Sequence, residues 1–213
     1  MRAIAVSNRP HVSSYVKGMN MDILNRDELY SLEQYAEARA DFRARVIAHK
    51  KHRRVDVGPN FTLYFEDRMT IQYQVQEMLR IERIFEAEAI EEELEAYNPL
   101  IPNGGNLKCT AMIEFGDVAL RKQRLAEMVG MENDVWAQVE GHDKVFAISN
   151  EDLERSTDEK TSAVHFMRFE FDTDMIAALK NGANLSFGCD HDAYTHMTTV
   201  DEATHAALLA DLD

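Results

Sequence analysis

From Asp67 to Pro102 the apolar and polar positions change period. Ile71, Val75, Met78 and Phe85 recur at helical spacing, which puts an apolar face on a helix that Asp67 can cap. Residues 69–76 also alternate apolar with polar, as a half-buried strand would, so a strand up to about Val75 competes with the helix. A second helix, Ala87 to Tyr97, is expected to stop at Asn98-Pro99. Upstream, the pattern predicts a long helix from Asp27 to about His52, capped by Asn25 or Asp27. Its apolar side collects Leu29, Leu32, Tyr35, Ala36, Phe42 and Val46, and Arg39 and Arg43 fall in the same arc.

Downstream the periods are mostly strand-like. Phe61–Glu66, Leu107–Phe115, Val135–Glu140, Lys144–Ile148 and Thr161–Phe171 read as strands, with a short one at Leu185–Gly188. Helices are expected near 117–129, 173–181 and 201–211. Helices first and strands afterwards suggest an α+β fold with long N-terminal helices packed on a mainly antiparallel sheet. Residues 1–20 show no period and read as a tail, with the composition of a targeting segment as an alternative. Residues 21–213 then form one domain, open to homodimerisation.

Charge narrows the partners. The formal net charge is −15, which disfavours nucleic acid, because phosphate contacts need Lys and Arg. No apolar run reaches the ~20 residues of a membrane span. Two cysteines, Cys109 and Cys189, do not make a disulfide framework, which fits a reducing, cytoplasmic setting. The basic run HKKHRR at 49–54 and the Glu-rich stretch 86–95 read as solvated faces, or as docking surfaces for oppositely charged partners.

Three places could carry chemistry. Glu82 falls amid the apolar face of the helix phased on Ile71, where a lone carboxylate is too costly to desolvate. A buried ion pair with Arg39 or Arg43 would resolve this, and Glu77 and Arg80 at the helix edge could join it. The alternative is a metal ligand. His165 shares a strand face with Ala163, Met167, Phe169 and Phe171, as a satisfied core histidine or a ligand. Cys189, His191 and His196 cluster after a short strand and add candidate ligands for iron or another transition metal, although the spacing fits no standard motif. No phosphate loop or nucleophile elbow is present.

The phrases FRARVIAHKKHRRVDVGPNFTLYFEDR, YQVQEMLRIERIF, YNPLIP, SAVHFMRF and the Gly188–Tyr194 segment together resemble a bacterial family called domain of unknown function 3501. The resemblance runs from about Leu24 onward. Its members are often encoded near rubrerythrin-like and iron–sulfur proteins. It therefore implies a link to iron, redox balance or peroxide defence, with a protein of one of those types as partner, and assigns no catalytic residue. The expected function is a non-catalytic accessory or binding protein of such a system. The alternative is a metal-binding oxidoreductase built on the buried carboxylate and histidines.

Overall fold

The structure is a computed structural model and describes residues 23–213 except Asp152, Glu154 and Asp158. The tail expected over 1–20 lies outside the described residues. The fold is α+β. Six α-helices accompany two antiparallel sheets among the described residues.

The first long helix starts later than its pattern suggests. Asn25 caps only a short 3-10 turn at Arg26–Glu28, and α1 runs Leu32–Lys50 behind a capping box of Ser31 and Gln34. Between them the main chain of Tyr30 pairs with the side-chain amide of Gln76 at 2.6 and 3.3 Å. The ambiguous stretch is helical. In α2 (Arg68–Glu82) Asp67 accepts from the Thr70 N–H, so the cap decides against a strand. Helix α3 follows at Ala87–Tyr97.

The first sheet comprises β1 (Arg54–Asp56), β2 (Phe61–Phe65), β3 (Asn106–Ile113), β6 (Ile148–Ser149) and β7 (Val164–Glu170), ordered β1-β2-β3-β7-β6. The second contains β4 (Val135–Val139), β5 (Lys144–Phe146), β8 (Leu185–His191) and β9 (Tyr194–Thr199), ordered β5-β4-β8-β9. Helices α4 (Val118–Glu127), α5 (Thr173–Lys180) and α6 (Glu202–Leu209) connect or follow the strands.

The largest core lies between the sheets. Leu63, Cys109, Ala111, Met167 and Phe169 of one meet Val135, Ala137, Leu185 and Phe187 of the other. Phe187 bridges them, with ring centroids 4.9 Å from Phe65 and 5.4 Å from Phe169. Smaller clusters hold the helices: Ile71, Val75, Leu79 and Leu94 in one, Tyr35, Phe42 and Val46 in another. The helical layer meets the first sheet through polar links. Lys108, pointing away from the inter-sheet core, donates to the carbonyls of Pro99 (2.7 Å) and Ile101 (2.8 Å). Burial, reinforced by the Arg168 charge, lowers its pKa to about 8.

The 185–188 strand extends further than expected. Residues 189–191, expected in a loop, continue β8 and turn at Asp192–Ala193 into β9, which the period did not reveal. In β8, Gly188 lies flat under Trp136, where a Cβ would overlap the indole ring. Trp136 donates to Asp190 at 2.8 Å and carries the Lys144 ammonium 4.0 Å from its ring centroid. Gly188→Ala is expected to cost about 2 kcal/mol by overpacking, read as a lower urea midpoint with an unchanged slope.

Candidate functional site

The acid that meets the arginine of α1 is Glu77. Arg39 holds it with a bidentate fork, Nε–Oε1 2.6 Å and Nη2–Oε2 2.8 Å, while the Tyr35 hydroxyl donates at 2.7 Å. Arg80 adds a contact at 3.6 Å. Burial pushes the Glu77 carboxyl up, but the bonds from Arg39 and Tyr35 and the charges of Arg39 and Arg80 outweigh it. The pKa falls to about 2. Glu82, expected in the centre of the apolar face, is exposed, and Arg43 is half-buried without a carboxylate contact among the described residues. Glu82 keeps the phase of Ile71 and Val75 but is the last residue of α2, beyond Leu79, where the buried face ends. Arg83 turns left-handed at φ 57°, leaving Phe85 70% exposed. Met69, Tyr73 and Glu77, spaced by four, form the stripe that meets α1.

The other candidate ligands do not converge. His165 is fully buried and both ring nitrogens are engaged. Nε2 donates to the Ser162 carbonyl at 3.0 Å and lies 2.9 Å from the Thr161 hydroxyl, and Nδ1 accepts from the Asn150 amide at 3.0 Å. The Thr161 hydroxyl in turn donates to Glu132 at 3.0 Å. Burial lowers the His165 pKa, opposed by the Glu132 charge, so the neutral ring organises a buried polar network in which both ring nitrogens are bonded and Asn150 Oδ1 is left without a partner among the described residues. His191 pins the turn before β9, donating to the Val129 carbonyl and accepting from the Ala193 N–H, both at 3.2 Å. Cys189 faces the core, and burial raises its thiol to about 11. His196 meets Tyr194 edge-on, with ring centroids 4.6 Å apart, and lies against Gly58. Among the described residues no three His, Cys, Asp or Glu side chains are grouped to hold a metal ion.

A different place gathers polar groups in a concavity. A cleft of about 930 Å³ opens between α1, the first turn of α2, the 101–104 loop and the C-terminal segment after α6. Phe42, Arg45 and His49, at positions i, i+3 and i+7 of α1, line one side. Tyr30, Met69 and Pro102 add apolar wall.

Arg53 lies deep in it at 2% exposure. Its fork donates to the carbonyls of Phe65 (3.3 Å), Glu66 (3.2 Å) and Ala207 (2.9 Å), and it also bonds Asp211. Asp67 receives His49 on one carboxylate oxygen and the Thr70 N–H on the other, 2.9 Å away, with Arg53 at 3.5 Å. The two carboxylates diverge. Burial pushes both up, but Arg53, Thr70 and His49 leave Asp67 below its ordinary value. Asp211, repelled by Asp67, stays above its own.

Of these four residues the sequence marks only Asp67, as the cap of α2, and marks none of them as part of a site. His49 and Arg53 belong to HKKHRR, which reads as a solvated run, although their spacing from Phe42 and Val46 marks the face that turns inward.

No curated protein matches the chain. Among solved structures it is similar to a crystal structure of a protein of unknown function from Burkholderia pseudomallei K96243, with 51% identity and a TM-score of 0.85. The match covers 89% of this chain and 99% of that one. Residues 23–212 match the family described as "Protein of unknown function (DUF3501)". With nearly all its described length inside that match, the chain belongs to the DUF3501 family.

Proposed function

We propose that this protein is a non-catalytic binding or accessory protein whose cleft between α1, α2 and the C-terminal segment takes a small polar ligand. One observation carries the proposal. The cleft, about 930 Å³, combines an apolar wall with charged groups drawn from separate segments of the chain. Its reactive groups are committed to the framework. Asp67 caps α2 and holds His49, and Arg53 joins β2 to the C-terminal segment. Both cysteine thiols are buried and raised in pKa, which suits packing better than nucleophilic or redox work. The iron, redox or peroxide-defence setting, with a rubrerythrin-like or iron–sulfur partner, enters from the family resemblance.

Native mass spectrometry and elemental analysis of protein purified from its own host test this proposal. The expected result is a small molecule released on denaturation, depleted in an Ala210→Trp variant in which indole obstructs the cleft, and no stoichiometric transition metal. Stoichiometric metal with redox turnover would favour the oxidoreductase alternative. Equal retention of the small molecule by the Trp variant would remove the cleft from the proposal.

A further inference from the structure

The charges around the cleft do not cancel evenly. On its floor Arg53 answers Asp211 and Asp67, and His49 answers Asp67. At the rim Arg68 is bonded to Glu28. Arg45 differs. Among the described residues it meets no carboxylate within 4.0 Å, and its guanidinium carbon sits 5.3 Å from the Phe42 ring centroid. Arg45 is exposed, so its guanidinium is open to solvent and to a ligand on the cleft side.

The setting of Arg45 suits one kind of group. Contact with the ring restrains the guanidinium while leaving N–H donors for a planar acceptor, the geometry in which arginine binds carboxylates by a fork. Tyr30 and Met69 provide apolar surface beside it, backed by Phe42, which is 4% exposed and meets Tyr30 edge-on at 6.2 Å. The first turn of α2 also borders the cleft and brings the positive end of its dipole. Two of the three lining acids, Asp67 and Asp211, are already engaged by Arg53. The third, Asp213, packs beside Gly104 and repels an anion from that part of the cleft.

We propose that the cleft recognises a small organic carboxylate with a flat or branched apolar body, its carboxylate on Arg45 and its body against Tyr30 and Met69. The assignment rests on the cleft being the binding site, and deepens that proposal by naming the ligand class. A primary carboxamide of the same shape keeps the apolar contacts and loses the charge-assisted pair.

The test is calorimetric titration of the full chain with benzoate and 4-methylpentanoate, each beside its carboxamide, repeated on Arg45→Gln and Ala210→Trp. The acids are expected to bind about tenfold tighter than the amides, roughly what one charge-assisted pair contributes. Arg45→Gln should bring acid and amide to the same weak affinity, and Ala210→Trp should abolish both. If the amides bind the native chain as tightly as the acids, the ligand class is wrong and the cleft stands. A preference for acids that survives Arg45→Gln overturns the role of Arg45. If no compound binds, the ligand class is wrong and the cleft is judged by the retained small molecule alone; if Ala210→Trp binds all of them normally, the cleft falls as the site together with the ligand class.

Discussion

Glu77→Gln is expected to lower the unfolding free energy by about 3 kcal/mol at neutral pH, because it leaves Arg39 facing a neutral amide in a helix interface. The Glu77 side chain is 8% exposed and that of Arg39 33%, so solvent screens the pair from the arginine side and the stabilisation read from the pKa gap is an upper bound. The pH dependence fixes the cause. The folded-state pKa of about 2 lies below the ordinary 4.5. A depressed carboxylate contributes its stabilisation above the unfolded value and loses it as pH falls through the folded one. The gap is equivalent to about 3 kcal/mol, present at pH 7 and lost between about pH 4.5 and 2. Urea unfolding from pH 7 to pH 2.5 should show this loss in the native chain and its absence in Glu77→Gln. A variant within 1 kcal/mol of the native chain across that range would mean that the pair contributes nothing net. Glu37→Gln, at an exposed position of α1, is the control and should change stability by less than about 0.5 kcal/mol.

Arg53→Ala should be more costly, about 4 kcal/mol or more. It leaves Asp211 without its counter-charge, and the carbonyls of Phe65, Glu66 and Ala207 without a donor. Asp211 already titrates above its ordinary 3.8 because of burial. Without Arg53 its folded pKa rises further above the unfolded one, so it destabilises above about pH 4 and ceases to do so when both states are protonated. The deficit of Arg53→Ala should therefore shrink in acid. Arg53→Lys keeps the charge but cannot supply the fork, and should cost about 2 kcal/mol while still folding. Hydrogen exchange in Arg53→Lys should accelerate first in α6 and the residues after it, since the Ala207 and Asp211 bonds tie that segment to β2. Uniform acceleration along the chain would mean that Arg53 stabilises the fold generally rather than anchoring the C-terminal segment.

Local signals proved good guides where one short-range interaction decides. The Asp67 cap, the span of α3 and the buried face of β3 each follow from caps, a proline stop or a two-residue period. Alternation in 69–76 could not override the cap. Longer-range features escaped. Strand β9 was hidden because Tyr194–Thr199 is an edge strand whose residues are mostly exposed, leaving no apolar alternation to read. Glu82 was misplaced because a wheel gives a residue's direction and not what covers it: the buried face of α2 ends at Leu79, and Glu82 closes the helix in an exposed last turn.

The sequence by itself determined the α+β class and most element positions, and offered, beside a metal-ligand alternative, an ion pair between an acid of α2 and an arginine of α1, because period, capping and desolvation act within a few residues. Only the tertiary structure decided that the acid is Glu77, that His165 meets Thr161, Ser162 and Asn150, and that His49, Arg53, Asp67 and Asp211 converge under a cleft. Those meetings depend on how α1, α2 and the C-terminal segment cross. Arg53 and Asp211 are 158 positions apart, and no local periodicity carries the phase of one helix across that distance to another.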